Sequence, residues 1–135
     1  MDEDRMKHSL AVAKKMMEIG RRKGLTEQQI QELFVIGINH DIGYEFGTGD
    51  NHNVVGGNIM KENGFKYWKE IYYHGKADVE YNSLYLDILN EADMKINKYG
   101  EDVGYEKRLQ DIETRYGKES VPYINSMKII EKLKK

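Results

Sequence analysis

Apolar positions recur at three- and four-residue spacing along almost the whole chain, the period of one helical face rather than of a strand. Val12, Met16 and Ile19 mark the first stripe and predict a helix from about Asp4 to Gly20, with Gly20 and Gly24 as stop signals. Thr26-Glu27-Gln28-Gln29 fits a capping box, in which the threonine hydroxyl serves an orphan amide and Gln29 reaches back. The helix it opens carries Ile30, Leu33, Phe34 and Ile38 and arrives at His40-Asp41. Between Phe34 and Ile38 it is apolar almost all round, which predicts a deeply buried end. Gly43 to Asn51, with Gly47 and Gly49, reads as a loop. Further helices are predicted over His52 to Asn63, stopped by Gly64, and over an aromatic-rich Lys66 to His74. Another runs from Ser83 to Asn97, with Tyr85, Ile88, Leu89, Ala92 and Ile96 at helical spacing. Two more, Tyr105 to Tyr116 and Ser120 to Lys134, follow; Ser120 suits an N-cap, and Pro122 is tolerated in a first turn. The one strand-like pair, Tyr72-Tyr73, is too short to count, so the expected class is all-α, a compact helical bundle.

The 135 residues hold no linker-like stretch, no internal repeat and no low-complexity tract, so one domain over 1–135 is expected. A chain of this length buries roughly two thirds of its unfolded surface, enough for a core without staples. There is no cysteine, which removes disulfides and thiolate zinc sites. A formal charge of −2 gives no footprint for nucleic acid, and the basic runs Arg21-Arg22-Lys23 and Lys132, Lys134, Lys135 read as solvated helix ends. No apolar run reaches the length of a membrane span, and Met-Asp-Glu-Asp is unlike a signal peptide, so a soluble cytoplasmic protein is expected.

Polar residues interrupt the apolar stripes at a few places. His8 shares a face with Val12, Met16 and Ile19; His52 lies with Val55, Gly56, Ile59 and Met60; His74 follows Tyr67 and Ile71; and Asp93 falls among Tyr85, Ile88, Leu89, Ala92 and Ile96. A lone histidine in such a place is more often a hydrogen-bonded core group than a ligand. Here all four histidines of the chain, His8, His40, His52 and His74, fall into one pattern with Asp41 and Asp93. Buried carboxylates need a partner, and no lysine or arginine shares their stripes. A divalent metal held by imidazole nitrogen and carboxylate oxygen resolves the conflict. His40 and Asp41 diverge by about 100° on a regular helix, so they share a centre only obliquely or where the helix ends.

The ordered set of motifs, "KHSLAVA" around His8, "INHDIGYEF" around His40-Asp41 and "NEADMKIN" around Asp93, resembles the HD-domain superfamily over about residues 5 to 97. The stretch "EKRLQDIETRYG" is similar to the tail of small bacterial members. The resemblance implies an α-helical HD domain (metal-site core about 5–97, C-terminal helices about 105–134) and metal-dependent hydrolysis of a phosphate ester. It implies His8, His40, Asp41 and Asp93 as ligands of one ion. His52 and His74 fall where binuclear members place two more, which implies a second ion shared through a bridging, catalytic Asp41. Tyr44 departs from the lysine many members carry after the "HDIG" segment, and the "GYP" signature of the cyclic-dinucleotide subgroup is absent.

Such a centre, of one or two ions, suits Fe, Mn, Co or Zn better than Mg. For a small phosphorylated substrate, a nucleotide among the candidates, Lys76 and Lys95 are the nearest cations in sequence to ligands. Arg108 and Arg115 are alternatives, although Lys107, Arg108, Asp111 and Arg115 have the spacing of an ordinary ion-paired face. The segment Tyr44 to Asp50 joins two ligand-bearing elements as a candidate lid, with Glu45 and Asp50 as candidate proton-transfer groups. Tyr67, Trp68, Tyr72 and Tyr73 offer faces to stack a nucleobase, or simply core and an interface compatible with a homodimer. The preferred reading is a phosphohydrolase. A di-iron oxygenase acting on a small molecule and a non-catalytic metal-stabilised binding module are the alternatives.

Overall fold

A computed structural model describes residues 3–46 and 51–134. Its elements are α1 (Glu3–Arg22), α2 (Glu27–Asn39), a 3₁₀ turn (Ile42–Glu45), α3 (His52–Glu62), α4 (Trp68–Tyr73), α5 (Leu84–Asp93), α6 (Gly104–Tyr116) and α7 (Val121–Lys134). The described residues form no strand beyond an isolated antiparallel bridge between Ile96 and Asp102. No helix among them is long and apolar enough to cross a membrane.

The helix signals act much as the periodicity predicts. Thr26 Oγ1 accepts the Gln29 amide at 3.2 Å while Gln29 Oε1 accepts the Thr26 amide at 2.9 Å, completing the box. Gly24, at φ +77°, ends the first helix; Gly20 does not, and α1 runs through it to Arg22. Gly20 serves packing instead, since a Cβ there would stand 2.8 Å from Leu33 Cδ1. The same economy holds at Gly37, where a Cβ would lie 2.5 Å from the Ala13 Cα. Gly37 lets α2 lie directly against the α1 backbone, and Gly20 makes room for the Leu33 side chain. Their contact buries Val12, Met16, Ile19, Leu33 and Ile36 in a core completed by Ile71, Ile88, Leu89, Ala92 and Ile96.

Two expectations are corrected. The end of α2 is not buried all round: Leu33, Ile36, Gly37 and His40 face inward at helical spacing, while Val35 is exposed and Phe34 and Ile38 are half-buried. One face suffices to pack against α1, so the other meets solvent. The fifth helix stops at Asp93 rather than Asn97. Asn97 turns the chain, its Oδ1 accepting the amides of Tyr99 and Glu101 at 2.9 Å, the local competition with helix that asparagine favours. Ile96 is buried all the same, from the non-helical segment.

Helices α6 and α7 pack on each other and close over a second cluster of Ala77, Met94, Ile129 and Ile130. Asn125 ties α7 to the segment after α4, accepting the Ala77 amide at 2.8 Å and donating to the Gly75 carbonyl.

Candidate metal centre

Five helices and one turn deliver side chains to a single end of the bundle. His8 lies in the second turn of α1, and His40 and His74 cap the C-termini of α2 and α4. His52 is the first residue of α3, and Asp93 the last of α5. Asp41 follows His40 at φ −103°, ψ 15°, already outside the helix. That departure lets two adjacent side chains meet at one centre: His40 Nε2 lies 3.3 Å from Asp41 Oδ2. The α1–α2 approach over Gly37 and Ala13 brings the His8 and His40 rings to 5.3 Å between centroids.

All six residues singled out from the sequence come together. Asp93 Oδ1 is 2.9 Å from His8 Nε2 and 3.4 Å from His40 Nε2. Asp41 Oδ2 is 3.7 Å from His8 Nε2, while its Oδ1 faces His52 Nε2 at 3.5 Å and His74 Nε2 at 3.6 Å. The last two nitrogens are 3.2 Å apart. Within this set, His8-His40-Asp41, His40-His74-Asp93 and Asp41-His52-His74 each place three donor atoms close enough to hold an ion.

The tautomers follow from the outer contacts. His8 Nδ1 lies 2.9 Å from the Asn97 carbonyl, His40 Nδ1 2.7 Å from that of Gly37, and His74 Nδ1 2.6 Å from that of Ile71. A carbonyl oxygen only accepts, so each Nδ1 carries hydrogen and each Nε2 turns toward the centre, the usual way a backbone group orients a ligating imidazole. His40 Nε2 is buried without a hydrogen-bond partner among the described residues. An orphaned buried nitrogen is costly, and a cation at this point would satisfy it. The donor set therefore fits a divalent ion with nitrogen and oxygen ligands.

Burial opposes charge on His40, Asp41 and Asp93, and mutual attraction overrides it. For His40, desolvation favours the neutral ring, but Asp41 and Asp93 hold its pKa up at about 9. Burial would raise Asp93 and Asp41; the neighbouring His40 and His8 pull Asp93 well below the usual carboxylate range, and His40 with the nearby His74 pulls Asp41 down. Both aspartates remain carboxylates.

The basic residues proposed for substrate each have contacts of their own. Lys95 Nζ pairs with Glu91 at 3.0 Å and sits 4.7 Å over the Tyr105 ring. Lys76 is exposed on a crevice with Asn90 and Lys132. Arg108 comes nearer the cluster, its Nε donating to the Asp93 carbonyl at 3.4 Å. Of the candidate lid, Tyr44 and Glu45 belong to the 3₁₀ turn, whereas Asp50 lies outside the described residues.

Tyr67 and Tyr85 donate to the two oxygens of Glu32 at 2.9 and 2.8 Å, so part of the aromatic cluster buttresses α2 against α5. With Trp68 and Tyr81 they wall a cleft of about 570 Å³. Gln29 and Tyr85 line it near the N-terminal ends of α2 and α5, roughly 16 Å of helix from His40 and roughly 12 Å from Asp93 at about 1.5 Å per residue. None of the six clustered residues lines this cleft.

Three contributors escape a reading of polar stripes. Gly43 is one: a Cβ there would lie 1.8 Å from the His52 carbonyl oxygen, so the turn after His40-Asp41 can touch the start of α3 only as glycine. The others are Arg5 and Tyr44. The guanidinium of Arg5 lies 3.3 Å over the Tyr44 ring, which stacks on His52 at 4.2 Å and 13°. The glycine after the His-Asp pair was the available signal for the first; the Arg5 contact spans two distant segments and had none.

The family model of the HD domain matches residues 5–117. No curated protein and no solved structure matches the chain.

Proposed function

Because the chain belongs to the HD-domain family, we propose that its histidine–aspartate cluster holds two divalent ions and hydrolyses a small phosphate ester, with nucleotides the first substrates to test. The observation that carries this reading is the division of Asp41: Oδ2 faces His40 and His8, and Oδ1 faces His52 and His74. One carboxylate directed at two sets of imidazoles suits a bridge between neighbouring ions. His8, His40 and Asp93 would complete one set and His52 and His74 the other. The family is largely one of metal-dependent hydrolases, which favours hydrolysis over the oxygen-dependent alternative.

An ion held here would act as a Lewis acid on a phosphoryl oxygen and lower the pKa of water to about 7. The chain's own part is to fix the donors beforehand. Three backbone carbonyls hold three rings with Nε2 inward, so those ligands need little reordering when the centre fills. Burial of His40 and His74 keeps bulk solvent from the inner side, leaving access past the more exposed His52. Arg108, hydrogen-bonded to the Asp93 backbone, steadies the end of α5.

The test is elemental analysis of protein purified without chelator, followed by inorganic phosphate release from a panel of nucleoside monophosphates and simple phosphate esters. About two ions per chain are expected, with release lost on chelation, restored by manganese and unaffected by removing oxygen. A fully loaded protein that releases no phosphate from any of them refutes the hydrolytic reading. Iron content with oxygen-dependent turnover would favour the oxygenase instead.

A further inference from the structure

We infer that Tyr44 is a positioning residue for the second ion: its ring fixes the plane of His52 and so sets whether the Asp41–His52–His74 side of the centre fills. The inference rests on the two-ion reading above.

The histidines of that side are held differently. His74 is buried to about 1% exposure, and its Nδ1 is anchored on the Ile71 carbonyl. His52 has 21% of its side chain exposed and stands at the first residue of a helix, where the backbone frays most readily. The His74 ring meets it edge-on, at 5.1 Å between centroids and 65°. Tyr44 supplies a constraint, a near-parallel face at 4.2 Å and 13°.

Tyr44 is itself held on both sides. The Arg5 guanidinium, 3.3 Å from the ring centroid, is too close to share a face with His52, so the tyrosine ring is sandwiched. Gly43 keeps the turn pressed on the His52 carbonyl, which brings the two rings level. Arg5 lies one helical turn before His8 on α1, so the stack links the helix bearing a ligand of the first ion to the ring of the second. His52 Nε2 is thereby aimed within 3.2 Å of His74 Nε2 and 3.5 Å of Asp41 Oδ1. Outer partners that orient a metal-bound imidazole are worth roughly 10–100-fold in metal affinity. What meets His52 is the ring face of Tyr44, not its hydroxyl.

The experiment is manganese titration of the metal-free full chain by calorimetry, with low-temperature electron paramagnetic resonance to separate a coupled pair from an isolated ion. Wild type, Tyr44→Leu and Tyr44→Phe are compared, with helical circular dichroism as the folding check. Wild type should bind two ions and give the coupled signal. Tyr44→Leu should keep the first event and its helicity, weaken the second by about tenfold or more, and lose the coupled signal. Tyr44→Phe should restore both. If Tyr44→Leu binds two ions as wild type does, the inference fails and the two-ion reading stands. If wild type binds one ion, both fail. Loss of the first event or of helicity in Tyr44→Leu, or failure of phenylalanine to rescue, overturns the positioning role in favour of a general structural one.

Discussion

Removing the ions and raising the pH should weaken the fold through His40. The ring is fully buried, and Asp41 and Asp93 hold its pKa at about 9, against about 6.5 in an unfolded chain. A raised folded pKa means the native state binds the proton more tightly than the unfolded state. The contribution is therefore whole below about pH 6.5 and is lost as the pH climbs through 9. At about 1.36 kcal/mol per pH unit, that interval is worth about 3 kcal/mol, a large share of the roughly 5–15 kcal/mol that stabilises a domain. The assay is urea unfolding in chelator, followed by circular dichroism, at about pH 6.5, 7.5, 8.5 and 9.5. The midpoint should fall across the series with little change in slope, and the fall should vanish in His40→Asn. A midpoint that is flat or rises, or a fall that persists in His40→Asn, refutes the reasoning. The metal-loaded protein should behave oppositely in one respect: binding displaces the His40 proton, so ion affinity should rise about tenfold per pH unit below 9.

Asp41→Ala removes the carboxylate shared by both sides of the cluster and should reduce metal content and phosphate release to background; full metal content in this variant would exclude a bridge. His52→Ala should lower the count by one ion while the His8, His40 and Asp93 side still fills, read by elemental analysis. Gly43→Ala places a Cβ where the His52 carbonyl already stands, so it should cost about 1–3 kcal/mol by denaturant melting and weaken the second ion with it. Thr26→Ala breaks the capping box far from the centre and should cost about 1 kcal/mol with metal content unchanged.

The fold was legible because its helices carry their information locally. Stripes, the Thr26 box and Gly24 each act within a turn or two of the chain, and they placed most elements to within a few residues. The end of α5 was misplaced because Asn97 and the bridge from Ile96 to Asp102 compete with a helical pattern that Ile96 continues. His8, His52, His74 and Asp93 were legible as exceptions on apolar stripes, and His40 and Asp41 as the adjacent pair where α2 ends. What holds them was not. The carbonyls of Asn97, Gly37 and Ile71 are backbone atoms, with no side-chain identity to read, and the Arg5–Tyr44–His52 stack depends on where three separate segments meet.

Three helices, α2, α4 and α5, bring their C-terminal ends to the cluster, at His40, His74 and Asp93. A helix end of this kind carries about half a negative elementary charge on its unsatisfied carbonyls, and here those fractions add to two carboxylates. The bundle thus has a negative pole that a net charge of −2 does not disclose. Divalent ions held there would serve as internal counterions. Their depletion should loosen this pole first, leaving the packing of Ile129 and Ile130 beneath α7 intact, so that the chain comes apart from its chemistry outward.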